Sequence, residues 1–149
     1  MDSVRHLPSH WRFTGFRPLF ASAAVGVGAV LLAAPLTALS YRMFHKPHEL
    51  PLSASLGFVL LLTVPVEEWL FRGVVLRQLL RFGAPLAVLV SAAVAAAAHG
   101  SLARFLPLLA VGVVVGVIYV RTLSLWPCIV AHCTYDAAAV TIALLAGQR

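Results

Sequence analysis

Two adjacent glutamates and one arginine interrupt the apolar stretch TVPVEEWLFRGVV, residues 63–75. Ionisable side chains inside a membrane span are costly, so they either pair with one another or serve a function. On a helix Glu67 points about 100° away from Glu68, so the two carboxyl groups need not share a proton. A carboxylate placed next to a histidine can act as a general base. The stretch therefore indicates a candidate functional site.

Three further ionisable residues lie in later apolar segments: His99, His132 and Asp136. Counting about 1.5 Å per residue from the turns at 82/83 and 121 puts Glu67, His99 and Asp136 about 22 Å from that face. The same count puts His132 at about 16 Å. Polar groups from three separate helices thus converge at one depth, which predicts a single site. The candidate site residues are Glu67, Glu68, Arg72, His99, His132 and Asp136.

Local spacing predicts partners for these groups. Glu68 and Arg72 are separated by four residues, and the acid precedes the base, as a helical ion pair prefers. This favours a structural role for the pair and leaves Glu67 to meet the histidines. His132 and Asp136 have the same spacing, so the carboxylate is expected to accept one imidazole N–H and fix its tautomer. A packing clamp or a proton relay are the other interpretations of that second pair.

Composition identifies the elements that must position these residues. The 149 residues are 61% hydrophobic and 11% charged, with a mean hydropathy of +0.95. Soluble domains carry about 25% charged residues. The net charge of +6 comes from Lys and Arg beside apolar runs, as in membrane anchors rather than nucleic-acid-binding surfaces. The sequence predicts an all-α, polytopic membrane helix bundle of about five spans in the plasma (inner) membrane, with no nucleic-acid partner.

The predicted organisation has three parts. They are a basic N-terminal flank at 1–18, a first transmembrane helix at 19–44 and a catalytic helix bundle at 50–148. Within the bundle, the expected helical segments are 52–82, 84–103, 105–120 and 125–147, with Arg104 beginning a short connection. The distribution of Arg and Lys favours a cytoplasmic N-terminus. Gly112-x-x-x-Gly116 predicts a helix-packing face, and Cys128 and Cys133 are expected to pack rather than form a disulfide.

The motifs together resemble one protein family. EEWLFR, residues 67–72, resembles the E-E-x-x-x-R motif of the CAAX protease and bacteriocin-processing (CPBP, or Abi) intramembrane endopeptidases. AAAAHG, residues 95–100, stands where their F-x-x-x-H motif belongs. The segment 112–136 resembles their penultimate helix, its turn and the H-x-x-x-N/D motif. The similarity extends over about 52–145, with the motifs in the family's order.

The resemblance implies peptide-bond hydrolysis by an activated water molecule. Glu67 matches the glutamate that activates the water, with His99 assisting it. His132 matches the histidine that stabilises the tetrahedral oxyanion, tuned by Asp136. No cofactor is implied. Two histidines and a glutamate are also a zinc-binding set, so a zinc-dependent version is an alternative, although the H-E-x-x-H spacing is absent.

The resemblance also assigns Glu68 as the essential neighbour and Arg72 as the motif arginine. Two positions depart from the family pattern. Ala95 replaces the usual phenylalanine of the second motif, which would alter the shape of the substrate groove. Asp136 replaces the more common asparagine, and an ionised aspartate can accept but not donate a hydrogen bond. Either Asp136 is protonated, or it serves His132 and the oxyanion relies on other donors.

The expected partner is a membrane-anchored protein or peptide substrate. The resemblance implies prenylated CAAX tails, bacteriocin leaders or C-terminal sorting helices. The Ala-, Val- and Arg-rich composition indicates a GC-rich bacterium, which favours a small protein-sorting (myxosortase-like) enzyme that removes a C-terminal anchor signal. A non-catalytic immunity or interaction protein is the alternative from another class. The sequence makes no prediction about oligomeric state.

Overall fold

The chain folds as helices throughout the part that the computed structural model describes, residues 13–44 and 62–147. These ranges contain five helices and no strand, which confirms the all-α class. The predicted flank up to residue 12 and the predicted start of the second span at residue 52 lie outside the described residues.

Helix α1 covers Phe16–Phe44, and α2 is a continuous helical run over 62–82. Within α2 the backbone changes type along its length: α-helix at Val64–Glu68, π-helix at Trp69–Leu76, α-helix at Arg77–Leu79 and 3₁₀-helix at Leu80–Phe82. The remaining helices are α3 at Ala84–Ala98, α4 at Leu102–Thr122 and α5 at Leu125–Gly147. The predicted bounds of the last helix are confirmed.

Helix α3 is shorter than predicted. The expected segment ran to residue 103, but the helix ends at Ala98 and α4 already begins at Leu102. Gly100 stops α3 because it has φ +63°, a left-handed conformation that glycine adopts without steric cost. The Gly100 N–H donates to the Ala97 carbonyl at 3.0 Å. The connection therefore lies before Arg104, not at it.

Within the described part of the chain, two helices are long and apolar enough to cross a membrane, at Phe16–Leu39 and Leu102–Thr122. Helix α3 is apolar too, but its 15 residues extend about 22 Å against a hydrocarbon core of about 30 Å. Large apolar side chains face outward: Phe20 is 74% exposed and Leu31 is 77% exposed. These features are those of a membrane protein. The number of spans, about five, stays a prediction.

Helix α4 forms the centre of the bundle and packs against α1, α3 and α5. The fully buried side chains include Leu76 of α2, Val115 of α4, and Leu125 and Cys128 of α5, each 0–2% exposed. The Cys128 thiol lies 3.4 Å from the Ser124 carbonyl and 3.7 Å from the Val115 carbonyl. Cys128 is thus a packing residue of the core, as expected.

Arginines gather at the end of the bundle where α2 turns into α3 and α4 turns into α5. Gly83, with φ +102°, makes the first turn. Arg81 lies before it, with its guanidinium 4.7 Å from the centre of the Phe82 ring, and Arg121 lies before the second turn. Arg77 interacts electrostatically with Tyr119 of α4 at the same end. The predicted cytoplasmic N-terminus depends on these arginines, and the orientation stays a prediction.

The Gly112-x-x-x-Gly116 pattern forms a helix contact, as expected. A Cβ atom added at Gly112 would lie 2.9 Å from the Ala92 Cβ and 3.1 Å from the Ala92 Cα on α3. A Cβ atom at Gly116 would lie 3.0 Å from Val88 Cγ1. The two glycines allow α3 and α4 to approach closely, as small residues do between membrane helices.

Replacing Gly112 with alanine is expected to destabilise the protein by about 1–3 kcal/mol, because the added methyl group has no room against Ala92. The matched control is Gly28→Ala, since no atom lies within 4 Å of a Cβ at Gly28. Chemical denaturation in detergent micelles measures both changes. Equal stability of the two variants would contradict the close contact at Gly112.

Candidate active site

The two adjacent glutamates of α2 occupy different environments. Glu68 is fully buried, with 0% exposure, whereas Glu67 is half-buried. Among the described residues, Glu67 makes no hydrogen bond and no ion pair. The divergence follows from the angle of about 100° between successive helical side chains. One carboxyl group therefore belongs to the interior of the bundle and the other is available at its border.

Arg72 pairs with Glu68, as the spacing predicted. Its Nη1 donates to Glu68 Oε1 at 2.9 Å, and both side chains are buried. The other terminal nitrogen, Nη2, donates to the Gly112 carbonyl oxygen of α4 at 3.2 Å. Arg72 thus connects the acidic motif to the central helix. Sequence reasoning identified Gly112 only as a packing residue. Every residue type has a backbone carbonyl, so the sequence does not indicate which of them accepts a hydrogen bond from Arg72.

His132 contacts Glu68 rather than Glu67. Its Nδ1 lies 2.7 Å from Glu68 Oε1, so this oxygen accepts from both His132 and Arg72. The spacing left Glu67 to meet the histidines, but His132 meets Glu68 instead, because α5 packs against the buried side of α2 where Glu68 points. With a hydrogen on Nδ1, the neutral His132 ring leaves Nε2 as an acceptor.

Asp136 does not hydrogen-bond to His132, which corrects the predicted tautomer-fixing contact. The shortest distance, from His132 Nε2 to Asp136 Oδ2, is 3.8 Å, within ion-pair range but too long for a hydrogen bond. Glu68 takes the role that the spacing assigned to Asp136, because it holds the Nδ1 side of the ring. Asp136 therefore lies within ion-pair range of His132 without a hydrogen bond to it.

His99 lies at the C-terminal end of α3 rather than inside a span, because the helix stops at Ala98. Its Nδ1 lies 2.9 Å from the Ala95 carbonyl oxygen one turn earlier. Nδ1 must carry the hydrogen in that bond, since a carbonyl only accepts, and this leaves Nε2 able to accept a proton. The backbone at Ala95 thus orients the imidazole.

The carboxyl group of Asp136 shows how close these residues are, because it interacts electrostatically with His132, Glu67, His99 and Glu68. With Arg72 bonded to Glu68, the structure brings all six predicted site residues, contributed by α2, α3 and α5, into one region. Their catalytic roles stay predictions.

Ser91 is a polar contact that sequence reasoning missed. It is 1% exposed, and its hydroxyl donates to the Phe71 carbonyl oxygen of α2 at 2.7 Å. The only signal in the sequence was a single serine in the apolar run of α3, and such a residue more often bonds within its own helix.

The described residues include no group of three or more His, Cys, Asp or Glu side chains placed to hold a metal ion. Both histidines direct Nδ1 at protein oxygens, of Glu68 and of Ala95. Metal-binding histidines commonly make the same Nδ1 contacts while Nε2 binds the ion, so the zinc alternative stays untested by this arrangement.

The family comparison agrees with this arrangement of residues. The family model of the type II CAAX prenyl endopeptidases, Rce1-like, matches residues 49–138, more than half of the chain. The chain belongs to this family. The Rce1-like match includes all six candidate residues and excludes α1. Neither the curated proteins nor the solved structures contain a significant match.

The family is one of proteases, which supports an endopeptidase of the membrane as the general class of this protein. The predicted resemblance to CPBP intramembrane endopeptidases is thereby confirmed. The protein-sorting (myxosortase-like) subtype is a finer assignment that the match to Rce1-like proteins does not address.

Proposed function

We propose that the protein is an intramembrane endopeptidase that uses Glu67 to activate water for hydrolysis of a peptide bond in a membrane-anchored substrate. The observation that carries the proposal is the contrast between the two glutamates. Glu68 is buried against two cationic or donor groups, whereas Glu67 is half-buried without a partner among the described residues and lies within electrostatic range of Asp136. A general base needs such an open carboxylate.

In the proposed reaction Glu67 removes a proton from a water molecule, and the resulting hydroxide attacks the scissile carbonyl carbon. His99 assists by accepting a hydrogen bond from the same water at Nε2, which is open because Nδ1 is held by Ala95. When the tetrahedral intermediate collapses, the carbon–nitrogen bond breaks. The protonated Glu67 then returns its proton to the leaving amine nitrogen, so the enzyme is regenerated.

His132 is the proposed donor to the oxyanion. Because its Nδ1 bonds to Glu68, it can donate from Nε2 only as the imidazolium form, with a hydrogen on each nitrogen. The negative charges of Glu68, and of Asp136 at 3.8 Å from Nε2, favour that form. In this proposal Asp136 is a carboxylate that serves His132 and does not itself donate to the oxyanion.

The depth of the site indicates where the substrate bond lies. With the arginine-bearing turns at one membrane surface, His99 lies about 22 Å away and thus about 8 Å from the opposite surface of a 30 Å core. A bond just inside one interface is where a membrane anchor begins. We therefore propose maturation or sorting of surface proteins by removal of a C-terminal anchor signal, as in the myxosortase-like subtype.

The test is a cleavage assay with purified protein in lipid vesicles. Three reporters distinguish the substrate classes: one with a C-terminal apolar anchor, one with a prenylated CAAX tail and one with a leader peptide. Cleavage of the anchored reporter is the expected result, with the cut mapped by mass spectrometry. Cleavage of the prenylated reporter alone would overturn the sorting role but retain the protease. No cleavage of any membrane protein, including the native membrane proteome, would favour the immunity or interaction alternative.

Cleavage is also expected to survive complete removal of divalent metal ions, since no described group of residues is arranged to hold one. The measurement is activity after dialysis against 1,10-phenanthroline and against EDTA. A zinc metalloprotease treated in parallel shows that chelation was effective. Loss of activity that added zinc restores would instead support the zinc-dependent version.

A further inference from the structure

The helix that carries the acidic motif changes its winding directly after the two glutamates. Trp69–Leu76 form a π-helix, the wider winding that is defined by N–H bonds to the carbonyl five residues earlier. The segment contains Arg72 and follows Glu67 and Glu68 without a break. Single π-turns are uncommon and cluster at functional sites, since the wider turn re-aims side chains. Eight residues in this conformation need support from outside the helix.

Ser91 of α3 provides a contact of that kind. Its Oγ donates to the Phe71 carbonyl oxygen, in the middle of the π-helix, at 2.7 Å. Ser91 is 1% exposed and Phe71 is 7% exposed, so the bond is shielded from solvent. Water cannot replace it, so a residue without the hydroxyl group leaves this contact between the two helices unmade.

The Ser91 bond differs from the main bonds of four helical threonines. The hydroxyl of each of these residues bonds to a carbonyl four residues earlier in its own helix: Thr37, Thr122, Thr134 and Thr141. Thr134 adds a longer contact, at 3.3 Å, to the Ala23 carbonyl of α1. Serine and threonine side chains inside helices often form this hydrogen bond. The Ser91 hydroxyl instead donates to a carbonyl of the neighbouring helix, so it connects α2 and α3.

The bond lies close to both members of the proposed water-activating pair. Phe71 follows Glu67 by four residues, and Ser91 precedes His99 by eight residues, which is about two helical turns. Helices α2 and α3 run in opposite directions from the turn at Gly83, so both residues lie on the same side of the bond. A shift of the backbone at Phe71 would move Glu67 relative to His99.

We propose that Ser91 is a positioning residue, whose hydrogen bond to Phe71 holds the π-helical turn of α2 against α3 and so sets the spacing between Glu67 and His99. The proposal rests on the function proposed above. Ser91 acts through the backbone of α2 and does not contact the reacting atoms. Misplacement of a catalytic group by about 1 Å costs up to about 100-fold in rate, so the loss of one such bond has a measurable effect on turnover.

The test compares three substitutions in the full-length protein in vesicles, with the anchored reporter. Ser91→Ala removes the donor, Ser91→Cys keeps a similar size with a weak donor, and Ser91→Thr keeps the hydroxyl. We expect kcat per folded molecule to fall at least about 10-fold in Ser91→Ala, by less in Ser91→Cys and little in Ser91→Thr, with KM nearly unchanged. The matched control is Ser22→Ala, which truncates a buried serine of α1 that is 4% exposed.

Amide hydrogen exchange of the segment 69–76 gives a second readout. Faster exchange is expected in Ser91→Ala and not in Ser22→Ala. A purely structural role would lower the amount of folded protein but leave kcat per folded molecule unchanged, and that result would overturn the proposal. So would a loss of kcat in Ser91→Thr equal to that in Ser91→Ala. If Ser91→Ala does not fold, kcat of Ser91→Cys is compared with that of Ser91→Thr instead.

The two proposals fail in different ways. A wild-type protein that cleaves no substrate overturns the proposed protease function, and the role of Ser91 with it. A wild-type protein that cleaves the reporter, together with a fully active Ser91→Ala variant, overturns the role of Ser91 alone. Loss of activity in Glu67→Gln in the same preparation keeps the two outcomes separate.

Discussion

Glu67→Gln is expected to abolish cleavage while the helix bundle stays intact. Glutamine has the size of glutamate but cannot accept a proton from water, and the loss of a general base lowers rates by about 10²–10⁴-fold. The protein should tolerate the change because Glu67 is half-buried and makes no hydrogen bond or ion pair with another described residue. The effect should therefore fall on kcat and not on the amount of folded protein.

The measurement is kcat on the anchored reporter in vesicles, together with the helical signal and the melting temperature of each preparation. Asp2→Asn is the control, because it also exchanges a carboxylate for an amide and lies outside the residues matched by the family. Full activity of Glu67→Gln would overturn the proposed mechanism. Activity lost together with the helical signal would show that Glu67 is structural.

Glu68→Ala, at the neighbouring position, is expected to destabilise the protein by about 3–5 kcal/mol. Its carboxyl group is fully buried, and Oε1 accepts from Arg72 at 2.9 Å and from His132 at 2.7 Å. Removing it leaves the guanidinium of Arg72 buried without its counter-charge and frees His132 at Nδ1. Breaking one side of a buried ion pair is far more costly than replacing both sides.

Chemical denaturation in detergent micelles measures this loss, and Glu67→Ala is its matched control because the truncation is chemically identical. We expect Glu67→Ala to cost much less, since its carboxyl group bonds to no described residue. The double variant Glu68→Ala with Arg72→Met should recover part of the stability by removing the unpaired charge. Equal losses for the two alanine variants would contradict the buried network.

The partners of the two glutamates show which contacts spacing can predict. The Glu68–Arg72 pair was predicted because four residues on one helix fix the distance between the side chains. The contact of Glu68 with His132 was not, because it depends on how α5 is rotated and how closely it approaches α2. The spacing of residues within one helix determines neither the rotation of α5 nor its distance from α2. The sequence interpretation therefore gave the histidine to Glu67 instead.

The end of α3 was predictable in part. No Asp, Glu, Lys or Arg lies between Arg81 and Arg104, so the predicted segment ran too far. The pair Gly100–Ser101 nonetheless marks a helix end followed by a helix start, since glycine is common just after a helix and serine just before one. The structure uses it that way, with Gly100 left-handed and Ser101 extended. This boundary determines the position of His99 at the helix end.

The sequence by itself determined the all-α membrane class, the family and the set of residues that meet at the site. These follow from hydropathy, motif order and helical rise, which are properties of the local chain. Only the tertiary structure decided that Glu68 serves His132, that Gly112 accepts from Arg72 and that Ser91 bonds to Phe71. Each of these contacts joins two helices. Such a contact depends on how the two helices are rotated and how far apart they lie. The close packing of the whole bundle determines both quantities, and the sequence of one segment does not.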